Sequence, residues 1–252
     1  MTGIETGNMD RDGRIGARIS KVFGDVSRQW RWFTALDSAS AEAFSEFLDA
    51  AYGSGDLPPH IRELLLLAHD ASVTVRDSRG VELRVRRALD AGASRREVLD
   101  VLLLLPFVAL HGVTEGLPLV YDVETYDVPA ATEGPYWAPF EAKFPGVHGM
   151  LAEELPDFFD AYRLLGRVVW ERSELAPKWR ELVLVVADMS TTHLFSRGAA
   201  LHVENALRYG ATRREVAAAL ALTAVFANTA VELGIAALES VEEAGRAQPP
   251  AH

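Results

Sequence analysis

The chain has 252 residues, a formal net charge of −11 and no cysteine. That length supports one large domain or two small ones with full cores. The acidic balance excludes nucleic acid as the main partner, because phosphate binding needs a basic surface, and the missing cysteine excludes disulfides, thiol peroxidase chemistry, cysteine nucleophiles and cysteine-ligated metals.

Residues 1–37 read as a polar N-terminal arm followed by an aromatic anchor at Trp30, Trp32 and Phe33. The arm up to about Asp25 has no apolar h-region and does not read as a signal peptide. Cytoplasm is the default compartment. Ser38 to Tyr52 carries Ala41, Phe44, Phe47 and Ala51 at helical spacing, closed by Gly53 and Gly55. Pro58-Pro59 then starts a helix whose run Ile61 to Ala71 is apolar on most sides and central. Val98 to Leu110 is the most apolar run; it contains Asp100 and Pro106, is too short to span a bilayer and reads as a buried helix. Residues 121–150 break the helical pattern with Pro129, Pro135, Pro139 and Pro145 among Tyr126, Tyr136, Trp137 and Phe140. This is too aromatic for a flexible linker and reads as an ordered loop packed on the surface, a candidate cover for a pocket. Leu151 to Trp170 resumes a helix, and the tail 242–252 frays.

An internal repeat organises the rest. Shifted by about 118 residues, Arg62 to Gly116 falls without a gap on Arg180 to Gly234, with roughly 25 of about 55 positions identical. Ser78-Arg79-Gly80 meets Ser196-Arg197-Gly198. Asp70, Ser72 and Thr74 meet Asp188, Ser190 and Thr192. Gly92 to Val98 meets Gly210 to Val216. The copies span 38–120 and 151–241, and two such halves pack about a pseudo-twofold axis. Strand signals are sparse, so the class is all-α. Gly210 occupies a left-handed helix stop, and Thr212 with Glu215 forms a capping box.

His202 lies inside the helix before Gly210. Its neighbours at helical spacing are Gly198, Ala199 and Ala206, with Asn205 the polar exception. A titratable ring over so little side-chain volume leaves room for a ligand. The bland alternative is a buried histidine hydrogen-bonded between helices. Glu181 and Glu63 stand in a helix first turn, where the dipole alone would account for a carboxylate. Arg197 and Arg79 can grip a carboxylate bidentately, or form surface salt bridges. The first half places Arg84 where the second has His202. Arg84 either holds a substrate carboxylate or fills its pocket with a salt bridge. His193 stands at the mouth of the His202 helix, too far along the chain from it for a metal pair. His111 and Glu115, four residues apart, are the one pair spaced to share a metal; an ordinary hydrogen-bonded pair is the favoured reading. No metal and no cofactor are expected, and no phosphate loop or nucleophile elbow is present.

Leu201-His202-Val203 through Gly210-Ala-Thr-Arg-Arg-Glu215-Val216, preceded by Arg180-Glu181-Leu182, resembles the carboxymuconolactone decarboxylase and AhpD-like superfamily. The resemblance implies two tandem helical domains of that type. The AhpD branch places a Cys-x-x-Cys pair just before the histidine. Here those positions hold Phe195 and Gly198, or His193 and Ser196 with the gap placed differently, so the redox activity is excluded. What remains resembles the decarboxylase branch. It implies a cofactor-independent lyase acting on a small carboxylated or lactone-type metabolite. His202 would be the acid/base group, with Glu181 and Arg197 assisting and Arg84, Arg79 and His193 binding substrate. A hydrolase or isomerase using the same pocket, and a non-catalytic binding or assembly protein, are the alternatives. A pocket at His202 with at least two charged or polar lining groups favours an enzyme; a histidine sealed by Leu and Val favours the scaffold. Single-domain relatives resemble rings built of dimers, which implies a homo-oligomer, a trimer or a dimer. No membrane partner is expected.

Overall fold

The computed structural model describes residues 2–54, 56–127 and 137–247, with side chains from 10 to 245. Among the described residues there is no strand. The helices are α1 (Thr2–Phe23), α2 (Arg28–Leu36), α3 (Ser38–Tyr52), α4 (Pro59–Ala71), α5 (Ser78–Asp90), α6 (Arg95–Ala109), α7 (His111–Thr114), α8 (Ala138–Lys143), α9 (Val147–Glu154), α10 (Pro156–Arg172), α11 (Pro177–Asp188), α12 (Ser196–Arg208), α13 (Arg213–Leu222) and α14 (Ala227–Ala247). They form two compact units, Met1–Asp56 with Ala221–His252, and Leu57–Leu220. The units cut across the repeat boundaries read from sequence, because α3 packs with α1 and α2.

The first unit corrects the reading of the N-terminal arm. Residues 2–23 are one helix rather than loose chain. Ile15, Ile19 and Val22 lie one turn apart and are fully buried. The many charges that disguise this stripe run along α3 instead: Arg14 pairs with Glu42 at 2.8 Å and Lys21 with Asp49 at 2.6 Å. Trp30 sits in the same core, stacked on Phe44 with centroids 5.7 Å apart. Its indole N–H donates to Asn228 Oδ1 at 2.8 Å, which satisfies the one polar atom the ring buries. Phe47, expected on the apolar stripe of α3, is 49% exposed, and Leu48 takes its place. The tail read as fraying is helical through Ala247, and residues 248–252 lie outside the described residues.

In the second unit α4 and α11 are central and pack on each other, with α5 on α4, α12 on α11, and α6 against both. Both central helices begin at a proline, where the missing N–H costs nothing. Helices α11, α12 and α13 start 118 residues after α4, α5 and α6. Gly92 and Gly210 turn at φ +99 and +89, the left-handed stop expected there. Both following helices carry the reciprocal cap, Ser94 with Glu97 and Thr212 with Glu215. Arg76 and Leu194 adopt φ 56 and 49 at matching places in the two inter-helix turns. There Thr192 Oγ1 donates to Thr74 Oγ1 at 3.1 Å, so a residue meets its own counterpart.

The segment Arg95–Leu119 is long and apolar enough to cross a membrane, as is Arg213–Gly245. In α6 the face bearing Val101, Leu104 and Val108 is buried. Buried Asp100 accepts from Arg96 Nε at 2.7 Å and from the backbone N–H of Glu174 at 2.7 Å, tying α6 to the approach to α11.

The connecting segment is more helical than expected. Pro129, Pro135 and Tyr136 lie outside the described residues. From Trp137 onward the chain forms α8 and α9, broken at Leu155 from α10. Phe144, Val147, Met150, Leu151 and Phe159 form a core with Leu201 of α12, and Phe140, Tyr162 and Phe195 pack against it. The aromatic cluster therefore packs onto the histidine helix.

Candidate active site

Glu181 lies in the first half of α11 and His202 in the middle of α12, on the faces where these helices meet. His202 Nδ1 is 2.7 Å from Glu181 Oε2. Asn205, one turn along, donates to the same oxygen at 3.4 Å. Glu181 is buried, while the His202 side chain keeps 17% exposure. With Nδ1 committed to the carboxylate, Nε2 is the ring nitrogen left for a ligand.

Glu181, His202 and Asn205 line a cavity of about 520 Å³. Its wall also includes His111, Tyr162, Arg163 and Arg167, with Trp137, Phe140 and Phe144 from the connecting segment. More than two polar or charged groups line the cavity with the ring, so the arrangement is not that of a histidine sealed by aliphatic residues. Of the small residues beside His202, Gly198 lines the cavity, while Ala199 and Ala206 are buried outside its wall. A Cβ on Gly198 would come within 2.5 Å of the Phe195 ring and 2.8 Å of Asp188 Oδ2. The glycine therefore admits those two side chains, and it also lines the cavity.

Burial disfavours the charged form of His202, but the hydrogen bond and charge of Glu181 and the charge of Asp188 outweigh it and raise its pKa. Asp188, fully buried at the end of α11, is pushed up to about 7 by burial, against the pull of His202. Burial holds His111 down at about 4, helped by the charges of His193 and His202. Behind the lining residue Tyr162, buried His148 bridges Glu141 and the Tyr162 hydroxyl, the latter at 3.2 Å. Burial raises the Tyr162 phenol far above its ordinary range.

Of the six residues singled out from sequence, His202 and Glu181 line the cavity. His193 stands one layer behind, 2.8 Å from His111 Nδ1. Arg197 does not join them. It lies five residues before His202, roughly 140° around the helix, with its guanidinium 4.3 Å over Phe144 and bonded to the Lys143 carbonyl at 3.0 Å. Arg79 is an exposed residue of α5 outside the cavity wall. Arg84 is corrected from substrate ligand to internal ion pair: it is 2% exposed and donates to Glu63 at 3.2 Å and Asp70 at 3.4 Å. The pairing of His111 with Glu115 is replaced by His111 with His193, while Glu115 stands 3.9 Å from Arg197. Tyr162, Arg163 and Arg167 carry no motif and were not legible; they reach the site because α10 packs beside it.

Fold and site together describe a helical protein of the AhpD-like class with the histidine–glutamate pair and without the cysteines. The model of the carboxymuconolactone decarboxylase family matches residues 156–243, which hold Glu181, Asp188 and His202. A crystal structure from Burkholderia xenovorans LB400, of a protein assigned by inference as a gamma-carboxymuconolactone decarboxylase subunit, superposes with a TM-score of 0.81. It is 30% identical, and the alignment covers 93% of this chain and 98% of that one. No curated protein sequence matches the chain. The chain belongs to the carboxymuconolactone decarboxylase family.

Proposed function

We propose that the protein is a lyase that needs no organic cofactor and decarboxylates a small carboxylated or lactone-type metabolite. Family membership supports a decarboxylase-like function in general. The observation that carries the finer reading is the His202–Glu181 pair on the wall of a cavity of about 520 Å³. In such a reaction the bond to the carboxylate carbon breaks and carbon dioxide leaves. The electron pair moves into the conjugated system as a dienolate, and a proton is then added at carbon. His202, whose protonated form Glu181 favours, donates that proton from Nε2 and regains one from solvent. Arg163 and Arg167 supply positive charge on the cavity wall for the substrate carboxylate before it leaves. Asn205 fixes Glu181 and thereby the ring orientation.

The test is a panel of small carboxylic acids and lactones, screened by thermal shift and then for release of labelled carbon dioxide. A substrate turned over by the wild type and not by His202→Gln supports the reading. Equal turnover by both proteins would place the chemistry elsewhere in the cavity. Double-bond movement without carbon dioxide release would favour an isomerase on the same pair.

A further inference from the structure

His111 opens α7, Asp188 ends α11, and His193 lies in the turn between α11 and α12. One potential ligand atom from each lies within 4.8 Å of the other two. His111 Nε2 is 3.9 Å from Asp188 Oδ1, and His111 Nδ1 is 2.8 Å from His193 Nε2. Asp188 is 0% exposed, and neither of its carboxylate oxygens has a hydrogen-bond partner among the described residues. A buried carboxylate in that state wants a cation or a donor.

The other half of the unit shows how the same position is otherwise satisfied. Asp70, the counterpart of Asp188, is met by the Arg84 guanidinium at 3.4 Å, and that guanidinium also serves Glu63. In the second half the chain has His202 in place of the arginine, and its Nδ1 goes to Glu181. One imidazole cannot reproduce the two-carboxylate grip of a guanidinium, so Asp188 keeps no donor.

We propose that His111, His193 and Asp188 bind a divalent first-row transition metal ion. Two imidazoles and one carboxylate suit zinc, iron, cobalt or nickel rather than magnesium or calcium, and three protein ligands leave positions open. Tetrahedral coordination at about 2.0–2.2 Å sets ligand atoms about 3.3–3.6 Å apart. A pair at the 4.8 Å span closes by more than about 1 Å to meet that spacing, and His111 commits one ring nitrogen to the ion, so binding requires rotamer changes of the two imidazoles. The Phe195 ring packs 4.1 Å from the His111 ring and 5.9 Å from that of His193, covering the pair with an apolar side chain. Gly198 keeps the approach to Asp188 Oδ2 free of a Cβ. His111 also lines the cavity, so a metal held here borders the space the substrate would occupy. The proposed site departs from the expectation of a metal-free protein, and it uses His111 with residues far from Glu115 in the chain.

The full-length protein, stripped with chelator, is dialysed separately against zinc and cobalt chlorides and analysed for bound metal. About one equivalent of either per chain is expected, with visible absorption bands for the cobalt form and no uptake of magnesium. Asp188→Asn and His111→Gln each weaken binding at least tenfold, while His202→Gln retains it. Asp188→Asn removes a buried charge at nearly constant volume, and circular dichroism verifies that each variant is folded. Uptake below a tenth of an equivalent by the wild type, or equal uptake by wild type and both ligand variants, overturns the proposal. A wild type that binds no metal leaves His111 and His193 as a hydrogen-bonded pair. Metal uptake is read without substrate, so its failure and a failure of the lyase reading are separate results.

Discussion

His202 Nδ1 stands 2.7 Å from Glu181 Oε2, and that contact favours the protonated form of the imidazole. Burial opposes the charge, and Glu181, with help from Asp188, prevails. A donor with a raised pKa is loaded below that value and empties as pH rises through it. Turnover, where proton donation limits it, is therefore expected to fall as pH rises through the folded pKa of His202, which lies above the ordinary histidine value. Glu181→Gln keeps a hydrogen-bonding amide but removes the charge, so the alkaline limb moves to lower pH. His202→Gln lowers kcat by about 10²–10⁴-fold with unchanged helix content. The check is a kcat–pH profile of the three proteins. An alkaline limb that does not move in Glu181→Gln would refute the coupling.

The same contact has a consequence for stability. A histidine whose folded pKa exceeds its unfolded value of 6.5 stabilises the fold fully below that pH. The contribution fades as pH rises from about 6.5 through the folded value. Urea unfolding at a series of pH values is expected to show this loss in the wild type and not in His202→Gln.

Arg84 holds two buried carboxylates at once, Glu63 at 3.2 Å and Asp70 at 3.4 Å, with all three side chains at most 4% exposed. Arg84→Gln removes the guanidinium that both acids share. Removing one partner of a buried ion pair costs about 3–5 kcal/mol, so this substitution is expected to destabilise far more than His202→Gln. Turnover per folded molecule stays near the wild-type value, because Arg84 does not line the cavity. Chemical denaturation combined with an activity assay distinguishes this from a substrate-binding role, which would raise KM without a loss of stability.

The sequence carried the second unit well and the first poorly, for physical reasons. Helix starts at proline, stops at Gly92 and Gly210, and capping boxes at Ser94 and Thr212 are local devices, and each is readable from a few residues. The His202–Glu181 contact was reachable because both residues belong to one motif and face one helix interface. Asp188 was visible only as a repeat position. Its significance appears when Arg84 is seen serving Asp70 and His202 is seen serving Glu181 alone. The partnership of His111 with His193 joins segments 82 residues apart, which no periodicity reports. Among the described side chains of α1, the fully buried apolar residues are Ile15, Ile19 and Val22 amid glycines and charges, and the charges are explained by the ion-pairing surface of α3.

Helix α10 leaves Leu164 54% exposed, with Leu165 and Val168 at 37% and 38% on the same helix. Helix α6 leaves Leu99 and Leu102 at 44% and 37%. We propose that partner copies cover the apolar side chains concentrated on these two helices. Light scattering is expected to give a mass that is a multiple of the 27.6 kDa chain. Leu164→Glu is expected to shift the population toward smaller species. A mass of one chain at every dilution would remove the assembly from consideration.

Gly198 distinguishes a helix position that tolerates a methyl group from one that does not. In an open helix interior, alanine is favoured over glycine by about 0.5–1 kcal/mol. Gly13 in α1 is such a site, with nothing within 4 Å of an added Cβ, and Gly13→Ala should stabilise by about that amount. At Gly198 the added Cβ meets the Phe195 ring at 2.5 Å and Asp188 Oδ2 at 2.8 Å. Neither can yield easily: Asp188 is fully buried, and Phe195 is packed against His111 and the aromatic cluster around Phe144. Overpacking of this kind costs about 1–3 kcal/mol and exceeds the helix gain, so Gly198→Ala should destabilise. Because Phe195 and His111 both line the cavity, the displaced ring should also narrow it and raise KM more than it lowers kcat. Urea unfolding of both variants, with kinetics on Gly198→Ala, tests the pair. A Gly198→Ala protein as stable as wild type would show that the contacts among Gly198, Phe195 and Asp188 relax without cost.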